Sequence, residues 1–343
     1  LLGYSEPIHT KLTLDELQNY LYSLPNLPTA IPYVTSYYEK RWGFCITQNQ
    51  RDSLKDGIYE IFIDSKFKEN GELNYGEMEI LSTTSSKDWI LISTYLCHPQ
   101  MANNELSGPV VMAKLINWLK TQKTRNYNYK FIIIPETIGS ICYISKNLDF
   151  LKHSVKAGFV LSCLGDDMNY SMILSPGENS LSDRIALHTI KFLTNEPKIY
   201  PFLSRGSDER QFNSPLLNLG VVTLCKTKFG MYKEYHTSLD DLSLVSEQGL
   251  RGGFNFVKNA ISNLELNKVY QITTYCEPNL GSRGLISTLS AGSRSVENIR
   301  HFLAYCDGKR EAIEIANIMN LELKELKEVI ESCLKFGLIK EIK

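Results

Sequence analysis

At 343 residues, with 43% hydrophobic and 22% charged residues, the chain suits one large α/β domain plus one or two smaller pieces, and domain-scale disorder is excluded. Lys and Arg number 37 against 38 Asp and Glu, a formal net charge of -1, so no cation excess exists to neutralise a row of phosphates and a generic polyanion binder is excluded. No apolar run approaches the roughly 20 residues that span a bilayer, which excludes a helical integral membrane protein.

In chain order, residues 14–21 read as a short helix, with Thr13 as cap and Glu16 placed for a capping box. Prolines at 25, 28 and 32 punctuate the next stretch. Residues 58–63, with Tyr59, Ile61 and Ile63 alternating, and residues 76–81 read as strands, and Asn70-Gly71 is a tight-turn signal between them. From about residue 88 the pattern changes. Residues 89–95 form a nearly continuous apolar run, the mark of a strand buried on both faces. Helical periodicity follows at 107–119, then a strand at 130–134, a helix at 138–147 and a strand at 157–164. A helix at 183–193, a strand at 219–224 and a long helix at 246–264 complete the series. Such alternation predicts a mostly parallel sheet covered on both faces, with chemistry at the ends where strands give way to helices.

After a loop containing Gly281, Gly284 and Gly292, residues 296–306, 310–319 and 323–336 read as three short amphipathic helices, with a strand-like tail at 337–342. Three helices and a short β element make a winged helix-turn-helix. Its third helix carries Glu322, Glu325, Glu328 and Glu331 against Lys324, Lys327 and Lys335, a poor surface for reading DNA, so packing or oligomerisation is the expected role. None of the eight cysteines forms a C-x-x-C pair and most lie in apolar runs, so they are expected to be small buried hydrophobes in a reducing cytoplasm.

The candidate chemistry gathers at predicted strand ends. His98 directly follows the apolar run, and Glu105 lies in the small and polar loop after it; His236 stands in a distant loop. A strand-end His, a nearby carboxylate and a distant loop His are the ligand supply of a zinc site. Glu136 ends the strand at 130–134, where a carboxylate must face a polar pocket or a cation, and it is a candidate general base. Arg205 and Arg210, in the stretch Arg205-Gly206-Ser207-Asp208-Glu209-Arg210, could grip a substrate carboxylate. Asp166 and Asp167 follow the strand at 157–164, at the same edge of the sheet.

Four stretches carry a family resemblance over essentially the whole chain. They are Ile31-Pro32-Tyr33-Val34-Thr35-Ser36-Tyr37-Tyr38 with Arg41-Trp42-Gly43-Phe44-Cys45; Cys97-His98-Pro99 with Asn104-Glu105-Leu106-Ser107-Gly108-Pro109; Pro135-Glu136-Thr137-Ile138-Gly139-Ser140; and Gly206-Ser207-Asp208-Glu209-Arg210. The chain resembles the zinc aminopeptidases of the leucyl aminopeptidase and glutaminyl cyclase fold. More closely, it resembles aminopeptidase-like proteins with a β-rich insert and a C-terminal winged helix that are often associated with surface-glycan biosynthesis. The resemblance implies an α/β fold with a mixed, mostly parallel sheet and helices on both faces. It divides the chain into an incomplete start of the hydrolase-like domain at 1–30, a β-rich insert at 31–86, the α/β domain at 87–280 and the winged helix-turn-helix at 281–343.

The same resemblance makes His98 the first metal ligand, His236 the last, Glu136 the general base and Asp208 part of the active-site polar network. Three ligand positions of the wider family fall on Asn104, Thr137 and Ser162, all neutral. Two cations need a bridging anion and several carboxylates, so one zinc is expected rather than two. Its ligands are His98, Glu105 and His236, completed by water or Asp166, and Asn104 is left to contact substrate. The expected activity is amide hydrolysis on a short peptide or an aminoacyl or acylamino sugar. A binding protein with a dead site stands as the alternative, and a DNA-binding regulator as a third. Nucleic acid and membrane partners are not expected, and a homo-oligomer is compatible with the sequence.

Overall fold

The computed structural model describes residues 1–98, 100–283, 285 and 294–342. A small N-terminal layer contains β1 (Ile8–Thr13), α1 (Leu14–Leu17), β2 (Leu21–Tyr22), β3 (Phe44–Cys45), α2 (Gln48–Ser53) and β4 (Ile58–Ile63). Thr13 ends β1 and caps α1 through the expected capping box with Glu16. The α-helix there is one turn and passes into a 3-10 turn at Gln18–Tyr20. β1 pairs antiparallel with β4, Ile8 opposite Ile63, and β2 pairs parallel with β3.

The main body runs β5 (Gly76–Ile80), β6 (Trp89–Tyr95), α3 (Ser107–Thr121), β7 (Asn128–Ile134), α4 (Ile138–Ser154), β8 (Val155–Leu161), β9 (Ser171–Ile173), α5 (Leu181–Lys191), β10 (Lys198–Tyr200), α6 (Glu209–Phe212), β11 (Val222–Cys225) and α7 (Glu247–Leu266). Its seven strands lie in the order β10-β9-β11-β8-β6-β7-β5, parallel except where β5 meets β7 and β9 meets β11. The apolar runs of the central strands are explained by burial on both faces. Ile90, Ile92, Phe131 and Phe159 point into the core under α3, α5 and α7, whereas Leu91, Ile132 and Val160 join Tyr143 of α4 and Phe212 of α6 on the other face.

Two boundaries differ from the sequence-based division. β5 falls inside the expected insert, yet it is the edge strand of the main sheet, where Glu77 and Glu79 reach Lys130 of β7. The Asn70-Gly71 turn therefore joins strands of two different sheets and makes no hairpin. β12 (Val269–Ile272), within the expected α/β domain, is the central strand of the C-terminal sheet.

The C-terminal part continues with α8 (Arg294–Tyr305), β13 (Asp307–Glu311), α9 (Ala312–Ile318), α10 (Lys327–Lys335) and β14 (Ile339–Ile342), the strands ordered β13-β12-β14. The expected glycine loop at 281–292 lies mostly outside the described residues. The apolar core is continuous from the main sheet through α5 and α7 into Ile313, Leu323 and Leu326 of this module. Among the described residues, no helix is long and apolar enough to cross a membrane.

Candidate functional site

Neighbouring parallel strands end together, so the loops after β6 and β7 meet at one rim of the sheet. β6 delivers Cys97 and His98, and a π-helical turn at Ala102–Leu106 then brings Asn103, Asn104 and Glu105 into the interior. That turn is held at its start by Asp240, which accepts the amide protons of Asn103 and Asn104 at 2.6 and 3.0 Å. Asp240 lies four residues beyond His236, so one short loop both supplies an imidazole and fastens the segment that carries Glu105.

Glu105 is fully buried, and each of its oxygens is engaged. Oε1 lies 2.6 Å from His98 Nδ1, and Oε2 accepts the Cys97 amide proton at 2.6 Å. Burial opposes the charged form of His98, but hydrogen bonds with Cys97 and Glu105 outweigh it and raise the imidazole to about 10. The His236 ring lies 4.9 Å from that of His98, centroid to centroid. Burial, reinforced by the charge on His98, lowers His236 to about 4, and its Nε2 is buried without a hydrogen-bond partner among the described residues.

Glu136 enters from the end of β7, its amide N–H 3.4 Å from Cys97 Sγ, which itself lies 3.2 Å from His98 Nδ1. Burial raises the Glu136 carboxyl above its ordinary range. The next residue, Thr137, has φ 64° and ψ -66°, and the Ile138 amide donates to Glu136 O at 2.7 Å across it. This is a three-residue γ-turn in a region that β-branched residues avoid, and such strain persists only when neighbours hold it. Asp208 accepts from the Thr137 amide at 2.8 Å, the single proton of Ser140 Oγ has Asp208 Oδ1 at 2.8 Å and Thr137 O at 2.9 Å as alternative acceptors, and Arg210 Nη2 donates to Thr137 Oγ1 at 2.7 Å. Asp208 is wholly buried and is raised to about 7 by that burial, while its Oδ2 has no partner among the described residues. Its visible work is to hold the turn that presents Glu136.

Several expected residues sit elsewhere. Asp166 is saturated: it accepts from Asn103 Nδ2, the Met168 amide, and both the amide and hydroxyl of Thr227. It is a buried brace between loops, and no oxygen is left to complete a metal site. Asn104 is turned inward, accepting from Tyr95 Oη at 2.9 Å and donating toward Met101 Sδ and Glu105, so it does not present an amide to substrate. Arg205 stacks on Phe202, 4.8 Å from guanidinium to ring centre. Arg210, through Thr137, borders the site.

Two residues to which the sequence assigned no role at the site border it. Cys97 is exposed rather than a core residue, and its thiol, His98 and Glu105 place ligand atoms within 4.8 Å of one another. Tyr33 lays its ring edge-on to both imidazoles, 4.9 Å from His98 and 5.5 Å from His236. The expectation for cysteine holds at 163, 225, 306 and 333, which are buried, and not at 97, 142 and 276.

Cys97, His98 and Glu105 place ligand atoms within 4.8 Å of one another, donor types that suit one divalent cation of the zinc type; His236 lies outside that group, its ring 4.9 Å from that of His98 and its Nε2 without a partner among the described residues. The donors do not fit a second cation. Asn104 and Ser162 are joined through Tyr95, whose hydroxyl lies 2.6 Å from Ser162 Oγ, and Thr137 is spent on its own turn.

A Clostridium acetobutylicum protein named "Putative polysaccharide biosynthesis protein with aminopeptidase-like domain" is 37% identical over 99% of this chain and 78% of its own length. A crystal structure of a "putative peptidase" from the same organism superposes with a TM-score of 0.90 at 35% identity, covering 99% of this chain and 77% of that one. A zinc aminopeptidase of Bacillus subtilis shares the fold, with a TM-score of 0.56 at 14% identity over 71% of this chain and 63% of its own. Residues 268–341 match a winged helix-turn-helix family. Residues 15–267 match the family described as a domain of unknown function, DUF4910, and the chain belongs to that family of aminopeptidase-like proteins with a C-terminal winged helix-turn-helix.

Proposed function

We propose that this chain is a metal-dependent amide-bond hydrolase using one divalent cation, acting on a short peptide or on an aminoacyl or acylamino group carried by a sugar. The convergence of His98, Glu105 and His236 beside Glu136 supports this reading most directly. His98, Glu105 and His236 would hold the ion, with the Cys97 thiol within reach. A bound zinc supplies polarisation of a carbonyl and acidification of a water. Glu136, whose carboxyl burial has made more basic, takes a proton from the attacking water as the C–O bond forms. It returns that proton to the nitrogen as the C–N bond breaks. Asp208, Ser140 and Arg210 keep the Thr137 turn, and therefore Glu136, in place.

The test is metal content by mass spectrometry on protein purified without chelator, followed by an amide-substrate screen. The expected result is about one zinc per chain in the native protein and none in His98→Ala, with Glu136→Gln slowing hydrolysis about 10²–10⁴-fold. Protein that carries no metal, and shows no activity after zinc is added, would overturn the proposal. The neutral Asn104–Tyr95–Ser162 network favours a second reading, a binding protein that has lost turnover. On that reading His98→Ala and Glu136→Gln leave the biological role intact.

A further inference from the structure

The segment 31–38 supplies no metal-ligand candidate, yet it is built firmly against the imidazole pair. The Tyr33 amide donates to His236 O at 2.8 Å, and the Ser238 amide donates to Ile31 O at 2.8 Å. On the other side, the Gly3 amide donates to Val34 O at 2.8 Å and the Ser36 amide to Gly3 O at 3.0 Å. Both edges of the segment are therefore engaged, and its position is tied to the loop that carries His236.

From the imidazole pair outward this segment lays down a run of aromatic rings. Tyr33 touches both histidines, and its hydroxyl lies 3.5 Å from that of Tyr37. Tyr37 in turn lies 4.9 Å from Tyr4 and 6.3 Å from Tyr38, centroid to centroid. Exposure rises from half-buried Tyr33 through Tyr37 at 55% to Tyr38 at 97%, and Tyr4, which flanks Tyr37, is 58% exposed. A group of large exposed rings, held by ordered backbone and continuous with a candidate site, marks a contact surface for a ligand.

We propose that the Tyr4, Tyr33, Tyr37 and Tyr38 rings form a saccharide-binding rim, which stacks against the C–H face of a pyranose and bonds its hydroxyls, presenting an attached amide to the imidazole pair. The placement of the reacting amide rests on the hydrolase reading; saccharide binding does not. Strand addition by a peptide needs an open edge, and this segment's backbone is already bonded to Gly3 on one side and to the His236 loop on the other. The rings carry no charge, which suits a neutral sugar, and their hydroxyls supply both donors and acceptors for its hydroxyl groups. The name of the C. acetobutylicum relative, which places that protein in polysaccharide biosynthesis, agrees with this choice.

The experiment titrates the intact chain, with and without zinc, with N,N′-diacetylchitobiose (chitobiose below) and separately with alanyl-alanine, followed by saturation-transfer NMR and calorimetry. Chitobiose is expected to bind, and Tyr37→Ala with Tyr38→Ala weakens it about tenfold, the loss of one or two ring contacts. Tyr37→Phe keeps the ring and most of the affinity. Binding of the dipeptide alone, or chitobiose binding insensitive to both alanine variants, overturns the rim. So does a shift in sedimentation of the alanine variants without loss of sugar affinity, which would make the rings a contact between copies of the chain. Metal binding and peptide hydrolysis without sugar binding remove this inference and leave the hydrolase. Sugar binding without metal removes the hydrolase and leaves the rim.

Discussion

His98 Nδ1 lies 2.6 Å from Glu105 Oε1, and the second oxygen of the same carboxylate holds the Cys97 amide. One buried residue thus fixes both the ring and the strand end that carries it. Glu105→Ala would leave a buried imidazole without its counter-charge, and it is expected to cost about 3–5 kcal/mol in metal-free protein. Glu105→Gln keeps one acceptor oxygen for the Cys97 amide, and its NH2 can donate to Nδ1 of a neutral His98, so it should cost less. Urea unfolding in the presence of chelator measures both, and equal midpoints for Glu105→Ala and the native chain would contradict the pairing.

The Cys97 thiol faces the same ring at 3.2 Å. A cation held by His98 would sit close enough to withdraw that thiol from reaction, since a metal-bound thiolate is a poorer nucleophile. Zinc is expected to protect Cys97 from iodoacetamide while leaving the exposed Cys142 and Cys276 reactive. Peptide mass spectrometry resolves the three sites. Identical labelling of Cys97 with and without zinc would place the ion elsewhere.

Asp208 supplies a stability test that needs no substrate. Burial raises it from 3.8 to about 7, so between those values the folded chain holds a proton that the unfolded chain has released. Its contribution is therefore full at acid pH and declines as pH rises through that window. Asp208→Asn keeps the acceptor for Thr137 and Ser140 and removes the buried charge. The variant is expected to gain about 1–3 kcal/mol on the native chain between pH 5 and pH 8. Parallel stability curves for the two proteins would show that Asp208 does not titrate in this range.

What the sequence disclosed follows from where each signal is stored. His98 and Glu136 were visible because both end long apolar strands, and a polar side chain there has only the sheet rim to occupy. Asp166 carries the same positional signal, but Thr227, distant in sequence, claims its oxygens. Cys97 was hidden by chemistry, since cysteine beside an apolar run resembles a core residue. Tyr33 stood in a stretch that carried the family resemblance but had no signal of its own for the site; its place there depends on the bridge between Pro32 and Thr237. β5 alternates Glu77 and Glu79 with Met78 and Ile80 and would suit an edge of either sheet, until Lys130 selects one.

The winged helix offers the last test, because the end that would enter a DNA groove is docked on the hydrolase-like body. In a helix-turn-helix the first residues of the recognition helix read bases. Here the turn leading into α10 meets α5: the Leu323 amide donates to His188 Nε2 at 3.0 Å, and His188 Nδ1 lies 2.7 Å from Asn317 Oδ1. Arg184 grips Glu311 with two hydrogen bonds, and Leu323 and Leu326 are fully buried. Duplex DNA is expected to bind weakly if at all; a slope of log affinity against log salt steeper than about -4 would contradict the docking. The dock is also sensitive to acid. Burial lowers His188 below 6.5, Asn317 and Glu322 oppose that shift and Lys191 adds to it, and the acceptor role of Nε2 requires a neutral ring. Its contribution is full above pH 6.5 and is lost as pH falls below it, because the unfolded chain then takes up the proton first. Hydrogen exchange at residues 312–335 should accelerate between pH 6.5 and 5, after correction for intrinsic rates, and His188→Ala should show fast exchange at both.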